Sequence, residues 1–127
     1  MNKAILQSIA YGFAHEFNNA DFKLKLPFII KVSQSKKLAN SAFALWENET
    51  LEDDSGIEYH KITLSYSLHF FDLAELKNTL YHELVHCKQH ETKKEVDHNR
   101  SFWNWEKRAV KRGLTIRYPN DNMRKFI

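Results

Sequence analysis

The chain has 127 residues, 43% of them apolar and 13% aromatic, with a formal net charge of +3. That composition excludes a disordered or low-complexity chain, and the length predicts one domain, residues 1–127, around one hydrophobic core. The single cysteine, Cys87, excludes an internal disulfide and a Cys-rich zinc ribbon, and no run approaches the roughly 20 apolar residues of a membrane span.

The opening stretch, MNKAILQSIAYGFAHEFNN, has a Lys and a short apolar run. Gln7 and Ser8 interrupt that run, and His15 and Glu16 stand where a signal peptide would end in small residues. The stretch therefore reads as an amphipathic helix, Lys3 to Asn19, burying Ile5, Ile9, Phe13 and Phe17 at four-residue spacing. A soluble, cytoplasmic protein with no membrane partner is the corresponding expectation.

Three strands are predicted next: Lys25–Val32 with Pro27 near its start, Ser41–Trp46, and Ile57–Ser67. The last alternates so that His60, Ile62, Leu64 and Tyr66 share one apolar face. The acidic, turn-rich ENETLEDDSG before it suits a hairpin connection. A helix follows in FFDLAELKNTLYHELVHCKQHE, where Asp72 and Glu75 carry the signature of a capping box and Leu73, Leu76, Leu80, Leu84 and Cys87 mark a buried stripe. A last helix, Ser101 to Arg112, is expected to be capped by Ser101, to bury Phe102, Trp105 and Ala109, and to stop at Gly113. Residues 114–127 receive no assignment. The expected fold is α+β, with helices packed on a small, mainly antiparallel sheet.

The central helix carries the chemistry. His82, Glu83 and His86 form H-E-x-x-H. Positions i and i+4 project from one helix face about 6 Å apart along the axis, which lets two imidazoles grip one tetrahedral zinc. Glu83 can then lie beside a metal-activated water without ligating the metal, where a general base is needed. A catalytic zinc takes a third protein ligand. His90 is too far along the axis while the helix continues. The metzincin continuation of the motif is absent, since Gln89 and Thr92 occupy the positions of its glycine and third histidine. Glu106, at a spacing that resembles thermolysin-type enzymes, and His98, in a polar break before the last helix, both remain as candidates.

A family resemblance bears on that choice. His82-Glu83-Leu84-Val85-His86 followed by His98-Asn99-Arg100-Ser101-Phe102 resembles the SprT-like zinc metalloproteases, in which a HExxH helix, a loop and a His-Gly-x-x-Phe/Trp segment follow one another. The upstream helix, small sheet and KITLSYSL strand extend the resemblance to about Ala4–Lys111. It implies a zincin-like metalloprotease domain with one Zn2+ per chain, held by His82, His86 and His98, and Glu83 as catalytic base. It also implies a protein or peptide substrate, including DNA-associated or DNA-crosslinked proteins; a monomer is a separate expectation. Asn99 stands where the family has Gly, and an Asn is expected to tolerate left-handed backbone there. The C-terminal zinc ribbon of many members is not expected in these residues.

Other residues have weaker claims. Asp97 is a candidate to orient a ligand imidazole. From Lys88 onward there are eleven Lys/Arg against five Asp/Glu. Within that basic third, Arg100, Trp103, Lys107 and Lys111 are candidates for contact with single-stranded DNA, with Trp103 stacking on bases and Trp105 in the core. Cys87 is read as core, His60 and His69 as candidates to support the site or meet substrate, and Tyr66 and Tyr118 as conceivable oxyanion donors. The reading from a different class is a non-catalytic DNA- or protein-binding module with a structural zinc.

Overall fold

Asn2 starts the first helix by accepting the Ile5 N–H on its side chain at 2.8 Å, and α1 then runs Lys3–Phe17. The computed structural model describes residues 2–41, 43–53, 55–69 and 72–117. The buried stripe of α1 is Leu6, Ala10, Ala14 and Phe17, one position round from the expected face, and Ile5 is 48% exposed. The two alanines explain the rotation. They add little to a hydrophobic periodicity, yet their small side chains let one helix lie close against its neighbours.

A single π-helical turn, Asn18–Phe22, continues α1 and ends at Lys23, whose φ of 50° is left-handed. Three strands follow, β1 (Phe28–Ser33), β2 (Ala44–Thr50) and β3 (Glu58–Ser65), with a short α2 (Lys36–Ser41) between the first two. Their order in the sheet is β1-β3-β2. β2 and β3 form the expected antiparallel hairpin, but β1 pairs with β3 in parallel, so the sheet is mixed rather than mainly antiparallel. The reason is the link through α2, which carries the chain from one edge of the sheet to the other and leaves β3 central.

Paired residues share a face, so the register builds three rows on one side: Phe28, His60 and Asn48; Ile30, Ile62 and Trp46; Val32, Leu64 and Ala44. His60, Ile62 and Leu64 are buried, as the alternation predicted. At the outer edge of β1, Gln7 of α1 donates to the Ile30 carbonyl at 2.7 Å and the Ile30 N–H donates to the Tyr11 hydroxyl at 2.8 Å. Helix side chains thus occupy backbone groups that would otherwise lie open at a sheet edge.

After α3 (Tyr66–His69) comes the long helix α4, Leu73–Glu91. Asp72 caps it by accepting the Glu75 N–H at 3.0 Å, as the sequence predicted. Leu76, Leu80, Leu84 and Cys87 are fully buried, whereas Leu73 is 41% exposed because it lies in the first turn. Every residue from Thr79 to Cys87 is buried, so α4 is enclosed on all faces although it carries Tyr, His and Glu.

The expected last helix is two helices, α5 (Arg100–Trp103) and α6 (Glu106–Lys111). The cap of α5 is Asn99, not Ser101: Asn99 is extended (φ −95°, ψ −168°) and its side chain accepts from the Phe102 N–H. The position that resembles a family glycine therefore demands no left-handed backbone here. Gly113, at φ 74°, ends α6 as expected, and the Leu114 N–H returns to the Ala109 carbonyl. That turn sends the previously unassigned residues 114–117 back across α4, where Ile116 is buried.

Candidate metal centre

α4 projects His82 and His86 from one face, and the loop before α5 brings His98 to them. The Nε2 atom of His98 is 3.1 Å from that of His82 and 3.2 Å from that of His86. The three side chains form a group able to hold a metal ion, with ligand atoms all within 4.8 Å of one another. A tetrahedral site with zinc–nitrogen bonds of about 2.0–2.1 Å has nitrogen–nitrogen edges of about 3.3–3.4 Å, close to these separations.

The partners of the far ring nitrogens decide the tautomers. His82 Nδ1 is 2.6 Å from the Ile116 carbonyl oxygen, which can only accept, so this nitrogen carries the proton. The Gln89 amide nitrogen donates to the Asp97 carbonyl at 2.9 Å, which turns its oxygen towards His86 Nδ1 at 2.8 Å, so that nitrogen donates too. The lone pairs of His82 and His86 therefore sit on Nε2 and face His98. One proton on His98 Nε2 would serve only one of those two neighbours, whereas a cation serves all three rings. The donor set fits a metal.

Electrostatics agree. Burial, then the neighbouring His86, holds His82 well below the ordinary histidine value, with the Ile116 carbonyl opposing. Burial lowers His86 as well, against the Gln89 bond. Burial and His86 push His98 down to about 4. All three rings are neutral at pH 7, the form that ligates. Glu83, beside His82 on α4, is fully buried.

Asp97 accepts the backbone N–H of His98 at 2.7 Å with its carboxylate and the Gln89 amide with its carbonyl, so it shapes the loop that carries the ligand. The Trp103 indole donates to the His98 carbonyl at 3.2 Å, and the Arg117 guanidinium covers its ring at 4.5 Å. Trp103 thus forms part of the wall of the histidine cluster. Lys107 and Lys111 line a cleft of about 380 Å³ with Asn104, Trp105 and Arg108, while exposed Arg100 begins α5. Trp105, expected in the core, is half-buried, its ring stacked on Phe22 at 4.6 Å.

The competing third ligand, Glu106, bonds Arg117 at 3.2 Å and takes no part in the histidine group. His90 lies beside Trp46, and His60 is buried against Glu91, away from the three rings. Cys87 is core, as expected, and burial pushes its thiol well above the ordinary value. Tyr118 and the His69 side chain lie outside the described residues, and Tyr66 is half-buried at the start of α3.

Sequence reasoning overlooked Gln89 and the Ile116 carbonyl. Gln89 had a signal, a polar residue three positions after a ligand and so on the same helix face. Ile116 had none, because a backbone carbonyl can come from any residue.

These features define an α+β domain with a three-histidine group able to hold a metal ion. A family model described as SprT-like family matches residues 10–120, and the chain belongs to the SprT-like family. No curated protein and no solved structure matches the chain. Among the described residues, no helix is long and apolar enough to cross a membrane.

Proposed function

We propose that this chain is a zinc-dependent endopeptidase of the HExxH type, and that His82, His86 and His98 hold the metal. The observation that carries the reading is the convergence of three neutral Nε2 ligand atoms, with buried Glu83 next to His82 on α4. An all-imidazole set suits zinc, since magnesium and calcium prefer oxygen ligands. Zinc, when bound, polarises the peptide carbonyl and lowers the pKa of a water it holds towards about 7. Glu83 then takes a proton from the attacking water and returns it to the leaving amine. Membership of the SprT-like family supports a metallopeptidase activity on protein chains.

The proposed substrates include proteins associated with or crosslinked to DNA. The cationic cleft of Lys107, Arg108 and Lys111 supports a single-stranded DNA partner, because cations follow the phosphate backbone. Cleavage of a DNA-bound protein should rise with single-stranded DNA, and the rise should shrink as salt increases.

The deciding variant is Glu83→Gln, with zinc per chain measured alongside cleavage. Retained zinc with at least about a 100-fold loss of cleavage is expected for a base that moves protons. Unchanged biological action with Glu83→Gln would favour a binding module with a structural zinc.

A further inference from the structure

We infer that Gln89 is a positioning residue that holds the His98 loop against α4 before any metal arrives, an inference that rests on the metal-centre reading above. Gln89 is 2% exposed and sits in a helix whose neighbouring Leu84, Val85 and Cys87 are fully buried. A primary amide in such a place costs stability unless its hydrogen bonds are made. Its oxygen accepts from His86 Nδ1 at 2.8 Å. Its nitrogen donates to the Asp97 carbonyl at 2.9 Å and the Ser101 hydroxyl at 2.8 Å, with a longer contact to Asn99 Oδ1 at 3.3 Å. Asp97 and Ser101 flank His98 on either side, so one amide grips the loop at both ends while orienting a second ligand.

The bonds beyond Gln89 run in one consistent direction. Ser101 receives the amide proton and donates its own to Asn99 Oδ1 at 2.6 Å, and the Asn99 amide donates to the Glu95 carbonyl at 3.1 Å. Asn99 also caps α5. The Asn that stands at the family's glycine position is therefore a working part of this tether, and Gln89 is its root on α4. Between Thr92 and Asn99 the chain has no helix or strand, so without the tether His98 would sample many positions. Ordering it at the moment of binding would subtract from metal affinity, and ordering it beforehand removes that cost.

The Trp103 indole N–H, bonded to the His98 carbonyl, reports loop placement without metal. The test compares wild type, Gln89→Met and Gln89→Glu by indole hydrogen exchange in zinc-free protein and by zinc affinity in chelator competition. Gln89→Met keeps the volume and removes both roles: indole exchange should accelerate clearly, and zinc affinity should fall about 10–100-fold. Gln89→Glu keeps an acceptor for His86 but no donor for the loop, so exchange should accelerate equally while affinity falls less. Should Gln89→Met not fold, the Gln89→Glu exchange rate decides alone. Unchanged indole exchange in the folded variants overturns the inference, whatever the affinity does. Affinity within about twofold of wild type in Gln89→Met overturns it as well, leaving Gln89 as packing. If wild type binds no zinc, the metal-centre reading fails, while indole exchange still decides whether Gln89 holds the loop.

Discussion

Two clusters of buried histidine chemistry flank the same helix, and they differ in how their ring nitrogens are satisfied. At His60, Trp46 Nε1–H donates to Nδ1 at 3.1 Å, which places the imidazole proton on Nε2, and Nε2–H donates to Glu91 at 2.7 Å. Glu91 in turn accepts the Lys25 and Leu26 N–H groups at 2.7 and 3.1 Å. Burial alone would raise Glu91, but the bonds from Lys25, His60 and Leu26 outweigh it and hold the carboxyl below its ordinary value. Burial lowers His60 despite Glu91. The pair is a neutral imidazole donating to a carboxylate, and both ring nitrogens have protein partners. At His82 and His86 the outer nitrogens donate to protein acceptors, and the inner ones meet the ring of His98. Burial of a histidine does not mark a site; lone pairs aimed at a common point do.

The comparison breaks most sharply by truncating one histidine from each cluster. His98→Ala should take zinc from about one per chain to near none by elemental analysis, a loss of affinity beyond the roughly 100-fold typical of a supporting residue. His60→Phe should retain the zinc, because its partners are all structural. If His60→Phe emptied the site and His98→Ala did not, the two clusters would have been assigned the wrong way round.

Stability should respond in the opposite order. His60→Phe leaves the Trp46 indole N–H without its acceptor and removes one of three donors from a carboxylate that is 6% exposed. A loss of about 1–3 kcal/mol in urea unfolding of the metal-free protein is expected. His98→Ala, in a loop that is partly open to water, should cost the metal-free protein less than about 1 kcal/mol. Equal losses would mean that the histidine loop belongs to the folding core.

The contrast also explains what the sequence could carry. His82, Glu83 and His86 were legible because a helix fixes their spacing, and His98 because a polar break and a family pattern framed it. The tautomers were not legible. They depend on Ile116, thirty-four residues along the chain and reached through the Gly113 turn, and on a Gln89 amide whose orientation only the folded loop decides. Likewise Asn99 and Ser101 are both good caps by residue type, and only the path of the loop selects Asn99. Strand alternation revealed the buried face of β3. It said nothing about which edge β1 would join, since that depends on the crossover through α2.

A third attachment of α4 sharpens the comparison because it joins two opposite charges, whereas the His60 pair joins a neutral ring to a carboxylate. Tyr81, adjacent to His82, donates its hydroxyl to Asp21 at 2.8 Å, and Arg112 grips the same carboxylate through Nε and, at 2.8 Å, through Nη2. The Arg112 bonds hold Asp21 below its ordinary 3.8, burial opposes them, and the Tyr81 bond adds to the lowering. A lowered folded-state pKa means stability that is present above the unfolded value and lost as pH falls through the folded one. Arg112 is 31% exposed, so water limits the worth of the pair, and Asp21→Asn should cost about 1 kcal/mol at pH 7. That difference should be constant from pH 7 to about 5, then shrink below about pH 4 as wild type protonates Asp21. Urea titrations of both proteins across that range measure it. A gap that persisted at the lowest pH would show that Asn disturbs packing around Tyr81 rather than removing a charge, and that this face of α4 is held by shape rather than by the Asp21–Arg112 ion pair.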